Sequence, residues 1–482
     1  MKVRHAAATI AFALTGTAGT AHAVALNPKG LGQVLIYPYY TVNKDQDTLV
    51  SVVNTTNIGK AIEVRFLEGY NGREVHTLKL YLSPHDVWAA RIGQLADDGG
   101  AAVFTADHSC TYPAIDAGGK AFLASAYAGG GAYPADGGPT SIMRTREGSV
   151  EMIEIGEIIP GSPLDIATTH VQNGQPNDGA PACPQAAIGG SDVMDLSVPR
   201  GGLSGTGSIV NVAEGTFFGY AASALSGFSD QVLFAHSIDL GVANSAESQA
   251  GGAVAYLSND AGAPLALDYA RGIDAVSAVL MADSISNDFL VASDLGANTD
   301  WIVTFPTKRF YVDPYFTGSG ALAPFAEGFG QYVAGQSNVD VGFNLFDQEE
   351  GAPLRTTDVV TPSALPYTVN AISFLASDDP NAGTTSGVLG SKLIRNVEPY
   401  GAAGWMSLDL ASGDGGHALT ADRSGIALQG LPAIGFMVYN VINANAAPGK
   451  LANYGGALAH RSSIACSSTT AGSATAAQDP CS

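Results

Sequence analysis

The sequence predicts an all-β protein made of antiparallel, immunoglobulin-like β-sandwich regions that are connected by long glycine-rich loops. The first observation is a series of short N-terminal segments in which apolar and polar residues alternate with period two. The second is the large number of turn-forming residues, since 59 of the 482 residues are glycine. The third is composition, since 46% of residues are hydrophobic and only 14% are charged, which is enough apolar side chain for real cores.

Three consecutive strands are predicted in the N-terminal part of the chain. They are Thr48–Thr56, Ala61–Glu68 and Val75–Leu82, and the turn sequences NIGK and GYNGR separate them. In the second strand, Glu63 and Arg65 are predicted to face outward. The core residues are predicted to be Ile62, Val64, Phe66, Leu78, Leu80, Leu82 and Trp88. A spacing of about ten residues between strands is typical of a sandwich.

A proline interrupts the apolar strand that precedes them, Val34–Val42. Three tyrosines surround Pro38, and Tyr37 and Tyr39 would share one face of a regular strand while Tyr40 points away. The tyrosines could stack on sugars, but core packing with hydroxyls that reach the rim is the preferred interpretation. A proline inside a strand predicts an edge or a bulge. The sequence leaves open whether this strand closes its own sandwich or that of a neighbour.

A second β-rich region begins near residue 201. Two strands are predicted around the AEG of GGLSGTGSIVNVAEGTFFGYAASAL, and Asn338–Gly351 alternates again. Asp274–Ala282 fits either a strand or a short helix, and Thr299–Asp313 is one β-prone run with Pro306 near its middle. The predicted organisation is a signal peptide at 1–23, an N-terminal β-sandwich at 26–95, a loop-rich disulfide-tied insert at 96–200, a second sandwich region at 201–461, and a small polar tail at 462–482.

The first residues have the pattern of a bacterial secretory signal peptide. Two basic residues precede the apolar stretch Ala6–Leu14, and an A-x-A cleavage pattern follows at 21–23. We expect cleavage after Ala23, with Ala25 as the second choice. No later stretch has the roughly 18 uninterrupted apolar residues of a membrane span. The sequence therefore predicts a secreted or cell-surface protein, in the periplasm or outside the cell.

The charge balance is strongly acidic. The chain has 22 Lys and Arg against 44 Asp and Glu, a net charge of −22, and removal of residues 1–23 takes away Lys2 and Arg4 and no acid. Such a chain lacks the basic footprint of a nucleic-acid binder, and we expect no nucleic-acid partner. The expected partner is a protein or a glycan at the cell surface, with a second copy of the chain as one possibility.

The even number of cysteines predicts structural disulfides in an exported chain. The four residues are Cys110, Cys183, Cys466 and Cys481. Three pairings are possible, and proximity in the sequence favours Cys110–Cys183 and Cys466–Cys481. No C-x-x-C pair accompanies them, which argues against a zinc site.

Motifs for catalysis are missing or incomplete, and no catalytic residue is assigned. The sequence Gly202-Leu203-Ser204-Gly205-Thr206 approaches the G-x-S-x-G of a nucleophile elbow and fails at its fifth position. The pairs His85-Asp86 and Asp107-His108 would point to opposite faces of a strand. None of the mature chain's histidines lies at close metal-ligand spacing from another.

Carboxylates provide weaker candidates for chemistry. Glu151, Glu154 and Glu157 lie in one predicted strand and could include a glycosidase pair, but solvated edge charges explain them equally well. Partial calcium loops occur at NKDQDT (43–48), SNDAG (258–262) and SGDGG (412–416), and none completes the twelve-residue loop. No cofactor is predicted, and calcium is left open.

Several segments resemble a group of exported bacterial proteins that are described only as hypothetical or cell-surface proteins. The resemblance rests on LNPKGLGQVLIYPYYTVN (26–43), TLVSVVNTT (48–56), VRFLEGYNGREV (64–75), LYLSPHDVW (80–88), TDWIVTFPTKRFYV (299–312) and GLPAIGFMVYN (430–440). It implies secretion and a surface role, and it brings no catalytic residues.

The sequence therefore favours an exported structural or interaction protein, with self-assembly or adhesion as one version of that function. In that version, the apolar strand near the N-terminus would complete the open sheet edge of a neighbour. The alternatives are an extracellular hydrolase that acts on polysaccharide and a calcium-dependent glycan-binding protein.

Overall fold

The structure is a computed structural model, and most of its residues lie in or beside β-sheets. It describes residues 23–96, 99–130, 133–172, 175–176, 179–189, 193–233, 253–258, 264–318, 320–326, 332–348, 364–375, 383–399, 401–412, 416–447, 449–468 and 481. The signal peptide predicted for 1–23 lies outside these residues except for Ala23. Strands make up 49% of the structure and helices 11%, which confirms the all-β class.

The strands of the first part of the chain are β1 (Ala23–Leu26), β2 (Val34–Thr41), β3 (Asp47–Asn54), β4 (Lys60–Glu68), β5 (Glu74–Leu82), β6 (Val87–Gln94), β7 (Ala101–Phe104), β8 (Cys110–Tyr112), β9 (Lys120–Ala121), β10 (Glu147–Ile158), β11 (Val171–Gln172), β12 (Gln175–Pro176), β13 (Leu196–Ser197), β14 (Leu203–Asn211), β15 (Thr216–Ala221), β16 (Ser223–Ser226), β17 (Ala253–Ser258) and β18 (Pro264–Tyr269). Those that follow are β19 (Met281–Ala282), β20 (Ser284–Leu290), β21 (Ala297–Thr304), β22 (Val339–Asp340), β23 (Gly342–Asp347), β24 (Ala364–Leu365), β25 (Val369–Phe374), β26 (Ile394–Val397), β27 (Ala403–Asp409), β28 (Ala418–Thr420), β29 (Ile426–Gln429), β30 (Leu431–Pro432), β31 (Ile434–Ala447), β32 (Lys450–Ala459), β33 (Arg461–Ser463) and β34 (Cys466–Ser468).

The helices are short. They are α1 (Ser125–Ala128), α2 (Pro163–Thr168), α3 (Gln185–Ile188), α4 (Gly272–Ala278), α5 (Arg309–Val312) and α6 (Pro314–Thr317), with 3-10 turns at Asn43–Asp45, Ile142–Arg146, Val193–Asp195 and Ser293–Leu295. Helix α4 shows that the ambiguous segment Asp274–Ala282 is mainly helical. The predicted run Thr299–Asp313 is β-strand only as far as Thr304, because Pro306 follows the end of β21 and α5 begins at Arg309.

Two sheets face each other across the first core. Sheet I has the order β18-β17-β1-β16-β2-β10-β4-β5-β8, with β13 beside β10, and sheet II has the order β15-β14-β3-β6-β7-β9. All seven predicted core residues lie in this core: Ile62, Val64, Phe66, Leu78, Leu80, Leu82 and Trp88. The predicted alternation is confirmed. Successive side chains of a strand point to opposite faces of its sheet, and these seven lie in the core between sheets I and II.

The sandwich extends beyond the range 26–95 that the sequence predicted for it. Strand β10, from the predicted insert 96–200, lies between β2 and β4 and is buried along its whole length. Strands β14 and β15, from the predicted second region, continue sheet II from β3. Strand β10 belongs to the sandwich because its backbone N–H and C=O groups pair with those of β2 on one side and β4 on the other. Without β10, these buried backbone groups would lack partners.

Strand β2 closes its own sandwich. It pairs with β10 along one edge and, over Val34–Ile36, with β16 along the other, and every one of its residues is buried. The pairing register slips where Gly148 faces Tyr40 but Val150 faces Tyr37, so β2 has one extra residue beside Pro38. The proline therefore lies at a bulge, beyond the last residue of β2 that pairs with β16.

The tyrosine hydroxyls do not reach the rim, contrary to the expectation from sequence. Tyr37, Tyr39 and Tyr40 are all 0% exposed. Their hydroxyls donate to the Ser51 carbonyl at 2.7 Å, to Glu147 Oε2 at 3.0 Å and to the Thr145 carbonyl at 3.0 Å, respectively. The interior acceptors explain how three phenols are buried together.

A second pair of sheets follows in the chain. Sheet III has the order β26-β25-β21-β31-β32, and sheet IV has the order β23-β27-β20-β33. Both contribute to one core that includes Trp301, Phe374 and Met406. The alternation predicted over Asn338–Gly351 is confirmed as far as Leu345, because Val339, Val341, Phe343 and Leu345 are all buried.

The favoured cysteine pairs lie at disulfide distance. The sulfur atoms of Cys110 and Cys183 are 2.05 Å apart, with their Cα atoms separated by 5.3 Å. The Cα atoms of Cys466 and Cys481 are 5.6 Å apart, and their sulfurs are bonded. The first bridge attaches β8, at the edge of sheet I, to the chain beyond α2.

A layer of buried ions joins sheet I to the second half of the chain. Glu151 of β10 accepts from Arg65 Nη1 at 3.0 Å and from Arg309 Nη2 at 3.0 and 3.1 Å. Arg73 donates twice to Asp313, at 2.8 and 3.0 Å. The prediction that Glu63 and Arg65 face solvent is therefore wrong: their exposed fractions are 5% and 2%. For Arg65 the reason is that Arg309 of the second half approaches this face and shares Glu151 with it.

Burial gives Glu63 a measurable influence on the pH dependence of stability. Desolvation raises the pKa of this carboxyl to about 7, while Arg65 and Lys79 oppose the shift and Glu74 adds to it. The folded protein then holds a proton that the unfolded chain releases, so the free energy of unfolding falls as pH rises from about 4.5 to about 7. We expect Glu63→Gln to be more stable than the wild type at pH 8 by on the order of 3 kcal/mol.

Urea denaturation of both proteins between pH 4 and pH 8 measures this difference. The two curves should converge at the acid end and separate through the pH window of Glu63. Parallel curves over the whole range would contradict the prediction, because other titrating groups affect both proteins equally.

Candidate functional site

A polar cavity of about 530 Å³ lies between the first sandwich and the loop that joins β25 to β26. Three cationic side chains line it, Lys44, Arg146 and Lys392, together with the amides of Asn43 and Asn298. Its volume is in the range of small-molecule sites in proteins. Its wall is polar, which distinguishes it from the mainly apolar pockets of most such sites.

The remaining wall consists mainly of hydroxyl groups and glycine backbone. Thr384 and Thr385 are exposed, whereas Ser386 is buried and its Oγ accepts from the Ser391 N–H at 3.0 Å. Leu375, Gly387 and Gly390 complete the described wall. No carboxylate, histidine or cysteine is among the described residues that line the cavity. The wall therefore offers many hydrogen-bond donors and positive charge.

The turn after β2 carries two of the lining residues, Asn43 and Lys44. Lys44 and Asp45 are consecutive non-glycine residues with φ of 54°, in the left-handed region that such residues rarely adopt. The turn is fixed because Asn211 Nδ2 donates to the Lys44 carbonyl at 2.8 Å and Gln46 Nε2 donates to the Val388 carbonyl at 3.0 Å. Backbone strain of this kind persists only where the surroundings over-determine it.

Two buried carboxylates hold the opposite wall. Asp300 of β21 accepts from the backbone N–H groups of Val388 and Leu389 at 2.9 and 2.8 Å. Glu147 accepts from Ser391 Oγ at 2.5 Å and from the Lys392 backbone N–H at 2.9 Å. Burial raises the pKa of Glu147, and these hydrogen bonds oppose the shift. The loop is thus docked on both halves of the molecule.

A close approach of backbone completes the wall. Gly390 has a φ of +63°, and a Cβ atom at this position would lie 2.8 Å from Lys44 Cβ. A larger residue would therefore push the loop away from the turn after β2. The glycine allows the two walls to approach at one end of the cavity.

Two donor nitrogens of cavity-lining residues are closed to solvent and have no acceptor among the described residues. They are Nδ2 of Asn43, a residue that is 4% exposed, and Nε of Arg146. Arg146 uses Nη2 to donate to the Val42 carbonyl at 3.0 Å and to Gln94 Oε1 at 2.7 Å. Burial lowers the pKa of Arg146, opposed by the charges of Asp45 and Glu147. Buried donors without acceptors are rare and usually have an explanation.

The glutamates that the sequence offered as a glycosidase pair lie elsewhere. Glu151 is held by two arginines, and Lys60 Nζ donates to Glu154 and Glu157 at 2.8 Å each. All three are buried in sheet I. Ser204, at the approximate nucleophile elbow, lies inside β14 opposite Val53 and not at a turn from strand to helix.

The structure brings serine, histidine and aspartate together near the first disulfide. His170 Nδ1 lies 4.0 Å from Asp86 Oδ1, and Ser109 Oγ lies 3.3 Å from Asp86 Oδ2. However, Ser109 Oγ also donates to Asp107 Oδ1 at 2.7 Å, and among the described residues Nε2 of His170 has no partner. A triad needs the hydroxyl bonded to the imidazole. Asp86 instead accepts backbone N–H groups of Ser83 and Val87, so its role here is to shape the turn.

Other histidines have structural surroundings. His76 stacks on Phe66 and Phe122 with ring centres 6.0 and 5.9 Å away, and burial lowers its pKa to about 4. His460 lies 3.0 Å from the Ile302 carbonyl, and burial also lowers its pKa to about 4. His85 and His108 are exposed.

The partial calcium loops gain no support as far as they are described. Asp47, in NKDQDT, pairs with Arg91 at 2.9 Å. Asp260 and Asp414, in the other two loops, lie outside the described residues. Across the described part of the chain, no group of three or more His, Cys, Asp or Glu side chains is placed to hold a metal ion. Of the helices described, none has the length and apolarity needed to span a bilayer.

Comparison with known proteins gives no relative for this chain: no family model, no curated protein and no solved structure matches it. The cavity is likewise absent from the sequence-based candidates. Its residues come from 43–44, 146, 298, 375 and 384–392, and no motif in the sequence links these separate stretches. The consecutive Asn-Lys-Asp of NKDQDT is the one local signal, and the sequence pointed there to carboxylates and not to Asn43 and Lys44.

Proposed function

We propose that this chain is an exported interaction protein of the cell surface that binds a polar ligand in the cavity between Asn43 and Lys392. The observation that carries the proposal is the wall itself, in which amides, hydroxyls and cations converge on one space of about 530 Å³. Asp300 and Glu147 hold the described part of the loop wall through hydrogen bonds to Val388, Leu389, Ser391 and Lys392, so this part of the wall is preorganised. Preorganised donors favour binding because little ordering is required when the ligand arrives.

Export remains part of the proposal. It is supported by the predicted signal peptide, the resemblance to exported bacterial proteins and the two disulfides. The immunoglobulin-like description is proposed only for β3, β6 and β7, whose order matches the three-stranded sheet of that fold. In sheet I the order differs, because β10 separates β2 from β4 and β5.

Self-assembly through donation of Val34–Val42 is not part of the proposal. That strand pairs with β10 within its own chain, its first three residues also pair with β16, and every residue of Val34–Thr41 is buried. A glycan or another protein is therefore the proposed partner.

Binding of the mature protein to a panel of immobilised neutral and acidic polysaccharides tests the proposal. Thr385 is an exposed residue of the cavity wall, so Thr385→Trp should fill the cavity and remove binding. The matched control is Thr420→Trp, at an exposed threonine on β28. Binding that survives Thr385→Trp, or the absence of any binding by the wild type, would count against the proposal. Protease treatment of intact cells tests the surface location separately.

A further inference from the structure

We propose that Lys60 and Glu154 condense into an amide, so that a covalent bond ties β4 to β10 inside the first sandwich. Together with Glu157 they form a cluster that is closed to solvent, with side-chain exposures of 0% for Lys60, 0% for Glu154 and 6% for Glu157. Nζ of Lys60 lies 2.8 Å from Oε1 of each glutamate. Such a bond would brace the scaffold whatever the cavity binds.

A bulge in β10 brings the two carboxyls to the same amine. Residues 154 and 157 are an odd number of positions apart, so a regular strand would point their side chains to opposite faces. The pairing register of β10 with β4 shifts between Glu154 and Gly156, and beyond the shift Glu157 lies directly opposite Lys60. Bulges that re-aim a side chain are common next to sites of chemistry. This one places two carboxyls around one buried amine.

The charges of the cluster are unequal in number. One ammonium faces two carboxylates, and a further cation, Arg200, is 74% exposed with its Nε 3.7 Å from Glu157 Oε2. Ions held in an interior carry a large desolvation cost, which mutual attraction repays only in part. Condensation removes one positive and one negative charge from the interior, and Glu157 keeps Arg200 beside it.

Backbone N–H groups distinguish Glu154 as the carboxyl that is attacked. The N–H of Gly201 donates to its Oε2 at 2.6 Å and that of Arg200 to its Oε1 at 3.3 Å. Burial raises the pKa of Glu154, while Lys60 and these N–H groups oppose the shift. Fixed donors of this kind stabilise the oxyanion that forms when an amine adds to the carboxyl carbon. Among the described residues, no backbone N–H donates to the Glu157 carboxylate, so Glu157 is assigned the transfer of protons.

The reaction needs no further reactant. Nζ of Lys60 forms a bond to Cδ of Glu154, and one Cδ–O bond of that carboxyl breaks. Of the three protons on the ammonium, one stays on the amide nitrogen and two leave with the carboxylate oxygen as water. Glu157 accepts these two in turn from Nζ, passes them to the leaving oxygen and ends unchanged. Fixed proximity favours the forward step, and exclusion of water limits hydrolysis of the amide.

Tryptic digestion of the reduced and alkylated mature protein, followed by mass spectrometry, tests the bond. Trypsin does not cleave after an amidated lysine, so we expect peptide 45–65 joined to peptide 147–200, at the sum of their masses less one water. Cleavage after Lys44 is the internal control, because this lysine faces Glu214 at 3.4 Å in a pair that water reaches. Complete conversion to the separate peptides 45–60 and 61–65 would overturn the proposal.

Variants of the two glutamates assign their roles. Glu157→Gln keeps the size of the side chain but not its basicity, so the joined peptides should form about a hundredfold more slowly. Glu154→Ala should remove them, and their persistence in that variant would overturn the assignment of Glu154. Joining at the wild-type rate in Glu157→Gln would contradict the proton-transfer role. Glu63→Gln is the matched control, since it alters a buried glutamate of β4 outside the cluster and should leave the joined peptides in place.

Discussion

Glu151→Ala is expected to lower the free energy of unfolding by about 3–5 kcal/mol, because it leaves buried arginines without their shared carboxylate. Glu151 is 0% exposed, and Arg65 and Arg309 are each 2% exposed. Arg65 keeps Glu74, with which it also pairs at 2.8 Å, whereas Arg309 loses its carboxylate partner. An unpaired guanidinium in this interior costs far more than the loss of a solvated ion pair.

Equilibrium denaturation in urea, followed by tryptophan fluorescence, measures this loss. Trp88 lies in the first core and Trp301 in the second, so variants that retain only one of them, with Trp405 also replaced, report on each half. The matched control is Asp47→Ala, which breaks the half-exposed pair with Arg91 and should cost less than about 1 kcal/mol. A loss below about 1 kcal/mol for Glu151→Ala would show that the buried ions do not hold the halves together.

Removal of the Cys110–Cys183 bridge is expected to cost about 4 kcal/mol. The bridge closes a segment of 73 residues that includes β10, the central strand between β2 and β4. Opening it frees the unfolded chain to sample many more conformations, and the effect grows slowly with loop length. Cys110 is 1% exposed, so alanine is the replacement that least disturbs its surroundings.

The double variant Cys110→Ala/Cys183→Ala should be compared with Cys466→Ala/Cys481→Ala under the same conditions. The second bridge closes only 15 residues and should cost about 3 kcal/mol by the same reasoning. Denaturant titrations of both variants and of the wild type give the two losses. A larger loss for the C-terminal bridge would contradict the argument from loop length.

The strands of the first sandwich could be predicted because their signal is local. Ile62, Val64 and Phe66 alternate with Glu63 and Arg65, and period-two alternation needs no knowledge of the rest of the chain. The same pattern could not show what covers the outer face. Alternation places Arg65 opposite the core, but only the approach of Arg309 from the second half decides whether that face meets water.

Strand partners and the cavity required information that no local segment contains. The pattern in SVEMIEIGEIIP shows that β10 is regular, yet it does not say that β2 and β4 take it between them. Asn43, Arg146 and Lys392 are separated by more than a hundred residues at each step and meet only because Glu147 and Asp300 dock the loop. A proline at position 38 allowed an edge or a bulge, and only the pairing register against β10 shows the bulge.

The sequence by itself determined the all-β class, the identity of the core residues and the favoured cysteine pairing. These follow from side-chain periodicity, turn residues and spacing, which act over short stretches of chain. Only the tertiary structure decided that β2 closes its own sandwich, that charges on the outer face of sheet I are buried, and that scattered donors surround one cavity. Strand pairing depends on which distant strand lies beside a given strand, and ion pairing depends on which distant charge lies beside a given side chain. Both are set by the whole fold.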